Sequence, residues 1–219
     1  MITHTGLELR DLKRLVRGGE GSQLEFKLKT THPDKIMREV VAFANTSGGT
    51  LLIGVADNGD LPGLKFPDED SFVMEKGFAR YISPRVYYTR EEVMLENGRP
   101  VLAYHIKKSA DTVVYFNPTG REEDRKVYVR NADRSIQASR EVREILKERL
   151  KEKSYRFRYG EKEDLLMKYL DQNQSITLSE FARVAEISLK QASKTLVLLV
   201  LARVLRVFAH EMEDKYLLA

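Results

Sequence analysis

Glu20, Glu25, Lys27 and Asp57 have the side-chain types that phosphodiester chemistry uses. Glu20 and Glu25 bracket GSQL, and Lys27 follows Glu25 by two positions in EFK. Residues i and i+2 of a strand share a face, so an extended EFK points Glu25 and Lys27 the same way. Asp57 closes the apolar run TLLIGV and comes near if that run lies beside EFK. Carboxylate oxygens are hard ligands for Mg²⁺ or Mn²⁺. Such an ion polarises a phosphate and generates hydroxide, and a lysine offsets the charge that builds in the transition state. Glu20, Glu25 and Asp57 are therefore a candidate metal site, and with Lys27 a candidate catalytic set. Glu and Lys also pair on strand surfaces for no functional reason, and more commonly so. The residues by themselves leave both readings open.

Periodicity locates the elements that must position these groups. Leu9, Leu12, Leu15 and Val16 have helical spacing, and Gly18-Gly19 ends that helix. Leu24, Phe26 and Leu28 alternate with Glu25, Lys27 and Lys29, as in a half-buried strand. A helix over 34–45 and the turn Ser47-Gly48-Gly49 lead into TLLIGV, and Asp57-Asn58-Gly59 predicts a tight hairpin turn. A helix is expected over 70–82, strands at RVYYT, PVLAYHI and VYVR, and a long charged helix capped by Ser139. Strands and helices without a regular βα repeat predict an α+β domain over 1–152.

A polar, basic and aromatic stretch at 153–160 reads as a linker, and the pattern then changes. Leu165, Leu166, Tyr169 and Leu170 mark a short helix, Thr177-x-x-Glu180 is a capping box opening a second, and Ser188-x-x-Gln191 opens a third. Two short strands around HEMEDK end the chain. These are the elements of a small winged helix-turn-helix domain at 161–219, in which the third helix enters the major groove. Lys190, Gln191, Ser193 and Lys194 then stand where base-reading residues sit. An acidic wing (Glu211, Glu213, Asp214) and the apolar LVLLVL favour a docking role instead. In the first domain, Arg130, Arg134 and Ser135 could grip phosphate or form a solvated strand end. The tract from Lys147 to Arg158, with Tyr155, Phe157 and Tyr159 interleaved, could track a nucleic-acid backbone and stack bases.

Composition limits the choices further. A net charge of +4 is compatible with nucleic acid without requiring it. The chain has no cysteine, which excludes disulfides and thiolate metal sites. The N-terminal stretch lacks a signal-peptide core, and the apolar run at 196–205 is too short to span a bilayer and contains Arg203, so a cytoplasmic protein without membrane contact is expected. NTSGGT precedes a strand and lacks the Gly-Lys-Ser/Thr ending of a phosphate-binding loop, so ATP hydrolysis is not expected; its glycines serve a turn and close packing. His4, His32, His105 and His210 have no ligand spacing.

The order E-x4-EFK, a helix ending in AFANTSGGTLLIGVADNG, then LPG and KVYVRNADRSIQASREV resembles the Schlafen/AlbA-type DNA-binding domain family over residues 7–150. The resemblance implies an α+β nucleic-acid-binding domain, in bacteria often followed by a winged helix. It also implies that Glu20, Glu25 and Asp57 match the acidic centre of a metal-dependent ribonuclease in the animal branch. DTVVYF at 111–116 lacks a proline common in the family, which bears on the loop path. The reading is a bacterial transcriptional regulator that binds nucleic acid, DNA ahead of RNA, with a second copy of the chain as a further partner. A metal-dependent endoribonuclease and a nonenzymatic assembly module are the alternatives.

Overall fold

The structure is a computed structural model, described for residues 6–151 and 153–219. Its contacts form two compact units, Met1–Ser135 and Ile136–Ala219. The fold is α+β.

In the first unit α1 (Leu9–Arg17), β1 (Leu24–Lys27), α2 (Pro33–Asn45), β2 (Gly49–Ile53), α3 (Pro67–Tyr81), β3 (Ile82–Ser83), β4 (Tyr88–Met94), β5 (Pro100–Ile106), β6 (Tyr115–Phe116), β7 (Tyr128–Asn131) and β8 (Arg134–Gln137) follow in order, β8 straddling the division. The main sheet has the order β1-β2-β5-β4. β1 runs parallel to β2, with Glu25 opposite Leu51 and Lys27 opposite Ile53, and the other pairs are antiparallel. Both faces are covered. Leu51 and Ile53 pack with Ile36, Val40 and Phe43 of α2 and with Met74 and Phe78 of α3. Leu52 and Phe26 pack on the opposite side with Leu12 and Val16 of α1.

This double cover changes the reading of EFK. β1 ends at Lys27, so Leu28, expected on the buried face, is 44 % exposed, while Glu25 is only 6 % exposed under α2. Pro33 opens α2, where a missing N–H costs nothing. At its other end the Gly48 N–H closes on the Phe43 carbonyl at 2.8 Å, with Gly48 at φ +73°. A Cβ on Gly49 would lie 2.4 Å from the Phe43 ring, so this glycine gives the close helix–strand approach that the sequence implied. Asn45 is buried, donates to the Val114 and Tyr128 carbonyls at 2.8 and 3.1 Å, and accepts from the Val114 N–H at 2.8 Å. NTSGG is thus a structural joint. Asp57-Asn58-Gly59 forms the expected turn, but no strand returns from it, because Pro62 cannot donate to a ladder.

In the second unit α4 (Arg140–Arg149), α5 (Glu161–Gln172), α6 (Leu178–Val184) and α7 (Leu189–Leu201) precede the antiparallel pair β9 (Leu205–Phe208) and β10 (Lys215–Leu218). Thr177–Glu180 and Ser188–Gln191 form the two capping boxes read from the sequence. Leu166, Phe181, Leu196, Leu205 and Tyr216 share a core with Ile145 of α4. α4 packs there, whereas the sequence places it within 1–152, ahead of a linker. Phe157, in the stretch read as that linker, packs against the same core.

Candidate acidic centre and nucleic-acid interface

The acidic centre is organised around Arg130 of β7. Its side chain has no solvent exposure. Nη1 donates to Glu25 at 3.0 Å, to Glu39 at 2.7 Å and to Ser135 at 3.1 Å, and Nη2 donates to the Gly21 carbonyl at 2.6 Å. The guanidinium also lies 4.8 Å over the Phe43 ring. The Arg130 N–H donates to Thr46 Oγ1 at 3.0 Å, which ties β7 to the end of α2. Lys27 Nζ donates to the other oxygen of Glu25 and to the Phe26 carbonyl, the latter at 2.9 Å.

Glu20 does a different task. β1 is an edge strand, so the Phe26 N–H has no strand partner, and Glu20 accepts from it at 2.7 Å. Burial pushes the Glu20 carboxyl above its ordinary range; the Phe26 bond opposes this, and the charges of Glu25 and Asp57 add to it. Asp57 is exposed in the turn after β2. Glu20 is therefore within electrostatic reach of both Glu25 and Asp57. The metal reading needs more than that. Among the described residues no three His, Asp or Glu side chains stand where they could hold a metal ion. The residues present do not fit a bound Mg²⁺ or Mn²⁺ as they stand, because Glu25 gives one oxygen to Lys27 and the other to Arg130.

Glu39 is the member that sequence reasoning missed. Ser135 donates to it, and burial, followed by the charge of Glu25, pushes its carboxyl up. The signal was present: Glu39 lies three residues after Ile36 and four before Phe43, on the buried stripe of α2. A carboxylate on such a stripe requires a cation. Two expected phosphate contacts are corrected by the same geometry. Arg130 is sealed under α2 with its Nη donors already used, and Ser135 is bound to Glu39, so neither reaches a phosphate. Arg134 lies at the surface.

Residues 20–139 match the Schlafen, AlbA_2 family. The chain belongs to this family. Solved structures similar to it include the following two. The crystal structure of the DIP2311 protein from Corynebacterium diphtheriae is 20 % identical over 55 % of this chain and 25 % of that one, with a TM-score of 0.39. This chain thus spans a quarter of that protein's length. The solution structure of the N-terminal domain of a protein from Nitrosomonas europaea, named as related to the ATP-dependent DNA helicase RecG, is 21 % identical over 59 % of this chain and 88 % of that one, with a TM-score of 0.40. A search of curated proteins finds no match.

Beyond the Schlafen/AlbA_2 match lies the second set of predicted contacts. Lys190, Gln191 and Lys194 are exposed on α7. The Gln191 carbonyl oxygen accepts from the Ser188 N–H at 3.2 Å, so only its amide NH₂ remains to read a ligand. Ser193 faces elsewhere: its hydroxyl donates to Glu141 of α4 at 2.6 Å. That bond ties α7 to α4, and Lys190, Gln191 and Lys194 are the exposed members of the expected set. The acidic turn is also partly structural. Glu213 accepts from the Ser179 N–H at 2.8 Å near the start of α6, and Asp214 accepts from the Ser139 hydroxyl at 2.5 Å at the cap of α4. Burial raises the Asp214 carboxyl despite the bonds from Ser139 and His210. No helix is long and apolar enough to cross a membrane among the described residues.

Proposed function

We propose that this Schlafen/AlbA_2 protein binds nucleic acid without cleaving it and acts as a transcriptional regulator. In this reading the second unit is a winged helix whose α7 faces DNA. Lys190, Gln191 and Lys194, exposed together on that helix at positions i, i+1 and i+4, carry the reading. Three helices followed by an antiparallel hairpin support the winged-helix description. Family membership supports nucleic-acid association in general. The acidic centre is read as a structural ion-pair cluster, because its carboxylates hold Arg130 and Lys27.

The reach of Glu20 to both Glu25 and Asp57 favours one second reading, a divalent-metal-dependent endoribonuclease. It requires Glu25 to exchange its cations for a metal. Incubation with labelled tRNA and duplex DNA, in Mn²⁺ or in EDTA, separates the two. Retention of duplex without cleavage is expected. Cleavage that needs Mn²⁺ would establish the nuclease, and neither retention nor cleavage would favour a docking module.

A further inference from the structure

The second unit contains a cavity of about 760 Å³ lined by Glu148, Arg149, Lys153, Tyr155, Leu201 and Arg203, among others. That is the size of ligand clefts, roughly 300–1,000 Å³. Arg149 ends α4, and Arg203 follows the end of α7. The guanidinium groups feel one another: burial first, then Arg203, push Arg149 below the ordinary arginine range. Neither forms an ion pair with a carboxylate among the described residues. Glu148, the carboxylate in the lining, is engaged by Lys151 and accepts from the Tyr155 hydroxyl at 2.7 Å.

Arg203 adds a second observation. Its φ is +61°. Its N–H closes on the Val200 carbonyl at 3.1 Å and the Val204 N–H on Leu199 at 2.9 Å, so it occupies the left-handed residue that ends a helix. Glycine is the usual occupant, because a Cβ is strained there. The helix dipole favours a cation near each C-terminus and accounts for either arginine alone. It does not account for lining one cavity with two guanidinium groups that have no carboxylate partner among the described residues, one of them on a residue that would be better as glycine.

We infer that Arg149 and Arg203, with Lys153 beside them, form a phosphate-binding site. Phosphate oxygens accept charge-assisted hydrogen bonds from guanidinium forks, and a bound phosphate turns the repulsion between the two cations into shared attraction. The site lies past the C-terminal end of α7, whereas Lys190 stands at its start, and it does not depend on the DNA-reading role proposed for that start. The phosphate comes either free or from a nucleic-acid backbone. The test melts the full chain in sodium phosphate against sodium chloride at matched ionic strength, and titrates labelled duplex DNA across a salt series. Both measurements compare wild type with Arg203→Gly and Arg149→Gln. Glycine relieves the positive φ, so Arg203→Gly is expected to melt higher than wild type in chloride. A phosphate-induced rise in wild type that both variants lose supports a free-phosphate site. A salt slope lowered by about one in each variant supports a backbone phosphate. If wild type shows no phosphate shift and both variants keep the wild-type slope, the inference is overturned. A Lys190→Ala/Lys194→Ala variant that keeps the phosphate shift but loses duplex affinity separates this site from the helix face.

Discussion

Replacing Arg130 by Met tests whether the acidic centre is held together by charge. Met keeps an unbranched stem of similar size and removes the guanidinium, with its contact over the Phe43 ring, leaving Glu25 at 6 % exposure without that partner. Removing one partner of a buried ion pair costs about 3–5 kcal/mol. A stranded buried carboxylate can escape by binding a proton, which limits the loss. Lys27 and Ser135 still serve Glu25 and Glu39, so the expected loss at pH 7 is about 3–4 kcal/mol, a large part of the roughly 5–15 kcal/mol of a typical domain. The loss has a pH signature. Carboxylates that take up protons in the folded variant make its stability rise as pH falls, so the deficit should be smaller at pH 5 than at pH 7. Urea unfolding of the full chain, followed by circular dichroism at both pH values, measures it. A deficit below about 1 kcal/mol at pH 7, or one that stays the same at pH 5, would refute the ion-pair account.

Four further outcomes are expected. Millimolar Mn²⁺ should leave the melting temperature unchanged; a metal at a hundred times its Kd would add about 2.7 kcal/mol, and a shift that Glu25→Gln abolishes would restore the nuclease reading. Lys190→Ala/Lys194→Ala should weaken duplex binding and lower its salt slope by up to about two, with an unchanged slope pointing to docking. Glu39 has a raised folded pKa, so the stability it contributes is full below the ordinary value of 4.5 and is lost as pH rises through the raised one; wild type should therefore gain on Glu39→Gln as pH falls from 7 towards 4.5, and parallel urea midpoints would contradict this. A fragment ending at residue 150 should expose Ile145, which is 2 % exposed in the full chain, and bind apolar dyes more than one ending at Ser135; equal dye binding would count against placing α4 in the second core.

What could be read in the sequence was local. The boxes at Thr177–Glu180 and Ser188–Gln191 close within three residues, and the Gly49 contact arises one turn beyond Phe43, so type and spacing reveal them. The sequence shows a carboxylate on β1 but not the cation that Glu25 meets, because Arg130 is 105 positions away and nothing in VYVR says which face of the strand is sealed. Leu28 and Glu25 exchanged their expected burial for a related reason. Alternation predicts one buried face, and β1 has cover on both. Ser193 looked free because helical spacing places it beside Lys190 and Lys194, but α4 brings Glu141 against it. Each of these failures lies where a distant element supplies the partner.

The distribution of charge links these observations to the proposed function. The first unit has 21 Lys and Arg against 20 Asp and Glu, and the second 16 against 13, so most of the net +4 belongs to the second. Use matters as much as number. Arg130 and Lys27 are bound to buried or half-buried carboxylates and offer little field outside. Among the described residues, Lys190, Lys194, Arg149 and Arg203 form no ion pair with a carboxylate, and Arg149 and Arg203 repel one another. Phosphate affinity comes from cations that can release counterions, and a cation already neutralised by a buried carboxylate has none to release. Nucleic-acid affinity is therefore expected to follow the second unit's cations, Lys190 and Lys194 on α7 and Arg149, Lys153 and Arg203 in the cavity among them, while the acidic centre maintains the fold of the first.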